Sequence, residues 1–264
     1  MKSNIIATIA TIAITTTVSA QSVDSLITIN ESERALALAA YDNGECFESL
    51  TASDGTLTLR RHGGWEVGVT GNYTHHSLTN NDGVAGVGAK TAFGGDALVG
   101  YRLVRKGWTV AALTEGYVGL NTSYTCEDLK VGENLHFGVR ELIELSHGAI
   151  RPALGGHLEY EKMVSQNREG DPYMGNAFTI GIDARLTATV GHIKTNKMAK
   201  VGNKKIMVRC ERPINLFVNA SYGFAKIGKT WTEADAAAKG YTKSPFLKDS
   251  KLRVEVGISF GGLF

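Results

Sequence analysis

Taken in steps of two, the last stretch of the chain separates into two sets. Leu252, Val254, Val256, Ile258, Phe260, Gly262 and Phe264 fall on one side, and Arg253, Glu255, Gly257, Ser259 and Gly261 on the other. A period of two marks a β-strand, here with one apolar face and one polar, glycine-rich face. The same alternation recurs in seven earlier segments, Trp65–Tyr73, Asp96–Val104, Trp108–Thr122, Leu135–Leu145, Ile150–Lys162, Phe178–Val190 and Ile214–Phe224. Each supplies the roughly 9 residues or more that a tilted strand needs to cross a bilayer. Long connections alternate with tight turns, such as Arg105–Gly107 and Ser146–Gly148. The pattern predicts an all-β fold, an eight-stranded antiparallel β-barrel over residues 65–264. Glu141 falls in the outward phase of its strand, where a carboxylate needs either a bulge or a place near the interface.

Alternation alone fits a soluble barrel with its apolar face inward equally well. The choice of charged residue separates the two. The polar faces carry Arg102, Arg140, Arg151, Arg185 and Arg253 with Glu66, Asp96, Glu115, Glu144, Glu159, Asp183 and Glu255, whereas most lysines lie in loops or at strand ends. A confined interior favours arginine, whose planar fork pairs carboxylates. Glycines on the same faces, among them Gly68, Gly155, Gly181 and Gly257, make room for long neighbours. Glu66, Arg102, Arg140, Glu159, Asp183, Arg185, Arg253 and Glu255 are therefore expected to form a lumen network. Because eight strands enclose a filled interior, the expectation is mutual pairing rather than conduction, with a narrow diffusion pore as an alternative.

With Glu255, Gly257, Phe260 and an aromatic terminus at Phe264, the final strand resembles that of small outer-membrane β-barrels of the OmpA and OmpX type. The resemblance covers roughly residues 65–264. It implies an outer-membrane location, lipid around the barrel, and recognition of the last strand by the barrel-assembly machinery through Glu255, Gly257, Phe260 and Phe264. The long outer loops are then the expected surface for a partner. Thr232–Lys239 reads as a short helix there, with Trp231, Tyr241 and Phe246 nearby.

Ahead of the barrel, residues 1–20 read as a signal peptide: Lys2, an apolar run from Ile5 to Thr17, then Val18, Ser19 and Ala20. Residues 21–64 read as a periplasmic segment with a short helix over Asn30–Tyr41 and a brief strand over Thr56–Arg60. The connection 192–213 carries Lys194, Lys197, Lys200, Lys204, Lys205, Arg209 and Arg212 where a short turn belongs. Its piece Ile206–Cys210 is expected to pair with Thr56–Arg60 in a small periplasmic sheet. This topology puts Cys46 and Cys210 on one side and Cys126 in an outer loop, so any disulfide is expected between Cys46 and Cys210.

Little else suggests chemistry. The balance of 28 Lys plus Arg against 26 Asp plus Glu points away from nucleic acid. With no CxxC or HxxxH spacing, neither a metal site nor a cofactor is expected. His75 and Ser77 have a His-x-Ser spacing that is similar to that of barrel lipid A deacylases. That resemblance implies a histidine activating a serine against an acyl ester, but no carboxylate can be assigned to orient His75, and a polar loop boundary is the stronger reading. A non-enzymatic barrel is expected.

Overall fold

A computed structural model describes residues 31–39, 47–51, 57–80, 88–105, 107–122, 124–126, 129–131, 134–146, 148–166, 172–227 and 247–262. Eight long strands form the ring: β3 (Gly64–Asn80), β4 (Gly88–Leu103), β5 (Val110–Asn121), β8 (Asn134–Leu145), β9 (Ile150–Gln166), β10 (Pro172–Val201), β11 (Lys204–Ile227) and β12 (Leu247–Phe260). Each pairs antiparallel with the next, and β12 returns to β3 over Leu247↔Asn80 to Phe260↔Val67, which closes the ring. The four remaining strands are β1 (Phe47–Thr51), β2 (Leu57–Arg61), β6 (Tyr124–Cys126) and β7 (Leu129–Val131). The hairpin of β6 and β7 sits at the long-loop end, so Cys126 lies there as the sequence suggests.

The outward phase is apolar on all eight barrel strands. Ile182 is 68% exposed and Leu154 69%, while the intervening inward residues are mostly buried. At a rise of ~3.3 Å and a tilt of ~40°, the run Phe178–Val190 spans roughly 30 Å, enough for the apolar band of a membrane barrel. Aromatic pairs sit on this surface: Trp65 with Tyr101 toward the tight-turn end, and Tyr73 with Phe93 and Phe137 with Tyr160 toward the other. Such belts occupy the two interfaces. Among the described residues no helix is long and apolar enough to cross a membrane, so any crossing is made by the strands.

Glu141 does face outward. The pairing of β8 runs through it without a register shift on either side, so no bulge rescues it. Instead, Thr114 Oγ1 donates to Glu141 Oε2 at 2.8 Å on the same face. Lying four residues from the end of β8, the carboxylate is roughly 10 Å from the tight-turn rim.

At that rim the sequence reading needs revision. Residues 192–213 are not a separate connection, because β10 and β11 continue past the barrel as one hairpin to a two-residue turn at Gly202 and Asn203. Gly202 takes φ 60°, the left-handed conformation such a turn demands and glycine adopts freely. A register shift between Thr189 and Gly191 marks where the hairpin leaves the ring. The predicted pairing with the amino-terminal segment is formed, with β2 lying parallel to β11 from Leu57↔Val208 to Arg60↔Glu211 and β1 beyond β2. Helix α1 (Glu31–Ala39) packs on this sheet through Ala37, which joins Leu57, Leu59, Ala199, Ile206 and Val208 in a small core. Short turns of outer-membrane barrels face the periplasm, so this is the periplasmic end.

Replacing Ile182 with Lys tests the orientation of the faces. Near the middle of a lipid-facing strand it is expected to cost on the order of 2–4 kcal/mol in urea unfolding from phospholipid vesicles. A water-facing Ile182 would show no such loss.

Candidate functional site

The period of two that turns the apolar residues outward sends every second side chain into the lumen, and the eight residues expected there are all buried. Three levels can be followed along the barrel axis. Nearest the outer end, Arg253 donates to Glu159 at 2.8 Å and to Asp96 at 2.5 Å. Asp96 also meets His136 Nε2 at 2.5 Å and accepts from Thr70 and Asn72. Lys251 bonds Glu161 and lies 3.3 Å from Glu159.

Arg140 is the hub of the middle level. Its guanidinium reaches Glu115 at 2.8 Å, Glu255 at 2.8 Å and Asp183 at 3.0 Å, and it stacks over the Tyr117 ring at 5.0 Å. Arg185 forks onto Glu115 through both terminal nitrogens, at 2.9 and 2.8 Å. Asn219 donates to both Asp183 and Glu255, and His157 Nδ1 lies 2.7 Å from Asp183. Glu115 and Glu255 are 2% and 1% exposed, so their charges are met by these partners rather than by solvent.

One residue pair further toward the periplasm, the inward positions become apolar. Leu113 follows Glu115, Leu142 follows Arg140 and Phe217 follows Asn219; they belong to two separate buried clusters, Leu98 with Tyr117 and Phe217, and Leu113 with Leu142 and Ala153. Arg185 lies over the Phe217 ring at 4.3 Å in a cation–π contact. Gly257 makes room for that ring, since a Cβ there would fall 2.4 Å from it. Gly181, against His157, gives room in the same way. Below these clusters a separate charged level forms, in which Glu144 accepts from both Arg102 at 2.7 Å and Arg151 at 3.0 Å. Glu66 accepts from Ser259 there.

The structure thus divides the eight expected lumen residues. Arg140, Glu159, Asp183, Arg185, Arg253 and Glu255 share the outer and middle levels, and Glu66 and Arg102 belong to the periplasmic one. The sequence reading missed Lys251, which it left just outside the last strand; the alternation starting at Arg253 carries one step back to it. In the last strand, Glu255 is held by Arg140, Gly257 lies under Phe217, and Phe260 pairs with both Ile214 and Val67. Phe264, residues 1–20 with their expected signal peptide, and residues 228–246 lie outside the described residues.

His75 and Ser77 share the outward face of β3, whereas His76 between them is fully buried in the lumen. Their register neighbours are Leu252, Thr91, Ser250 and Ala89, so no carboxylate stands across from either one. The bridge expected between Cys46 and Cys210 falls partly outside the described residues, which include Cys210 as a free thiol but not Cys46. Cys210 packs against the small periplasmic core, where burial raises its pKa and keeps it protonated at neutral pH. Among the described residues no cluster of His, Cys, Asp and Glu could hold a metal ion.

The lumen makes a direct prediction. Arg140→Met removes one hub and leaves Glu115, Asp183 and Glu255 facing one another, with an expected loss on the order of 3–5 kcal/mol. Urea unfolding of the variant in vesicles measures it, and an unchanged midpoint would mean the network does not hold the barrel.

No protein-family model and no curated protein matches the chain. Among solved structures, Neisserial surface protein A aligns at 14% identity over 72% of this chain and 96% of its own, with a TM-score of 0.37. The attachment invasion locus protein of Yersinia pestis aligns at 10% identity, over 74% and 97%, with a TM-score of 0.37. The translocator domain of the autotransporter NalP from Neisseria meningitidis aligns at 11%, over 88% and 95%, with a TM-score of 0.31. Similarities this low leave the assignment to the barrel's own geometry. A closed ring of eight strands, apolar outside and charged inside, makes this chain a small transmembrane β-barrel of the outer-membrane type.

Proposed function

We propose that the protein is a closed, non-enzymatic outer-membrane barrel that anchors outer loops at the cell surface and a small sheet in the periplasm, in an envelope-stabilising or surface-binding role. The observation that carries this reading is the lumen's content: ion-paired levels in which Arg140 meets Glu115, Asp183 and Glu255, with two buried apolar clusters, Leu98 with Tyr117 and Phe217, and Leu113 with Leu142 and Ala153, between the middle and the lowest of them. A conducting pore needs a continuous wetted path, and buried apolar side chains and mutually paired charges in a narrow bore speak against one. The outer loops are the proposed surface for a partner, because recognition concentrates on loops held by a rigid scaffold. Recognition of the last strand by the assembly machinery is proposed on Glu255, Gly257, Phe260 and Phe264, the residues that match the family's terminal pattern.

Single-channel recording of the refolded protein in planar bilayers tests the closed lumen. No stable conductance steps are expected from the wild type, whereas Phe217→Ala together with Leu142→Ala should produce them. Regular steps from the unmodified protein would establish the pore reading instead.

A further inference from the structure

A closed scaffold does not account for Glu141. Among the described residues it is the one acidic or basic side chain turned to lipid between the aromatic belts. On β8 the belt residue Phe137 lies four residues to one side and the tight-turn rim four residues to the other, so the carboxyl sits roughly 10 Å from each. A carboxyl at that depth is costly, and ionisable side chains inside a membrane mark sites of function.

Its hydrogen bonding is incomplete. Thr114, directly across on β5, donates to Oε2 at 2.8 Å, and no second bond to this side chain is made among the described residues. A carboxylate has about four acceptor positions. The remaining ones point toward lipid, which has nothing to offer them at this depth.

The wall around the carboxyl is low. Gly156 stands across from it on β9, and Ala112 and Gly116 flank Thr114 on β5. At Gly116 an added Cβ would meet nothing nearer than 3.9 Å, so packing within the barrel does not call for a glycine there. Val139, Ile143, Leu154 and Leu158 surround this shallow patch and are exposed. Small residues beside a polar one let two membrane-embedded walls come close enough to share hydrogen bonds.

We propose that the wall formed by β5, β8 and β9 is a contact between two copies of this chain, with Glu141 of each at its centre. Copies in one membrane share an orientation, so the two-fold axis relating them runs along the membrane normal and brings each residue opposite groups at its own depth. Near the axis those groups are Glu141 and Thr114 again. A carboxyl that carries its proton is donor and acceptor at once. Two Glu141 side chains facing across the axis therefore complete each other, while each keeps its bond from Thr114. Gly116 and Gly156 supply the close approach, and the four exposed aliphatic side chains pack around the pair.

The test uses the full chain refolded into phosphatidylcholine vesicles, whose headgroup has no hydrogen-bond donor. Copies labelled with a donor or an acceptor dye are mixed, and energy transfer is followed as the lipid ratio is varied. Transfer above random proximity that falls reversibly on dilution with lipid is expected. Glu141→Ala should weaken the association about tenfold or more, the scale of a paired polar contact in lipid. Glu141→Gln, which keeps a donor and an acceptor, should retain most of it. Gly116→Leu leaves Glu141 in place but raises the wall, so it should weaken association too, whereas Val256→Leu, on β12 across the ring, should not. A heat-dependent gel shift verifies that each variant is a folded barrel. No association of the wild type, or association equally strong in Glu141→Ala, would overturn the proposal. So would an unassociated wild type whose resistance to urea rises when phosphatidylethanolamine replaces phosphatidylcholine, since Glu141 would then serve a lipid ammonium group.

Discussion

The fold depends on the seam between β12 and β3. In hydrocarbon there is no water to satisfy a backbone amide or carbonyl, so a sheet survives only if it has no free edge. The pairing from Leu247↔Asn80 to Phe260↔Val67 removes the last edge, and it does so with the final strand of the ring. Once eight strands close, the bore is narrow, and the side chains sent inward must fill it and neutralise one another. Arg140 meeting Glu115, Asp183 and Glu255 together follows from that confinement, as does Gly257 giving its space to Phe217.

Closure also explains why so much of the barrel could be read from the sequence. A strand between lipid and a packed interior has no latitude in phase, because a slip of one residue would put Asp183 into lipid and Ile182 into the lumen. Hence Phe178–Val190 could be assigned residue by residue, and the arginine-rich faces could be assigned to the inside. The limits appeared where that constraint ends. Beyond Val190 the register shifts and the strands leave the membrane, so alternation no longer divides apolar from polar; the basic run then looked like a loop although it is paired throughout. Lys251 was missed because it lies one residue ahead of Leu252, where the alternation of the last strand was read to begin. The apolar clusters were invisible for a different reason: Leu98, Tyr117 and Phe217 lie on separate strands, and only the stagger of the ring brings them together.

Two consequences for function follow from this division. Within the membrane the charges are turned on one another, which is the basis of the proposed closed scaffold. At the tight-turn end the strands leave the ring, and Glu211 there meets both Arg60 and Lys194. The small core of Ala37, Leu57, Leu59, Ile206 and Val208 holds the periplasmic end rigid enough for side-chain placement there to matter.

The inside-out arrangement of the faces underlies all of this, and electrophoretic mobility of the membrane-extracted protein tests it most directly. A closed barrel resists detergent until heat opens it, so unboiled and boiled samples from the outer-membrane fraction should migrate differently. A protein recovered as a soluble species with one mobility under both conditions would contradict the account, and would mean that the arginine-rich faces meet water while the apolar faces enclose a core.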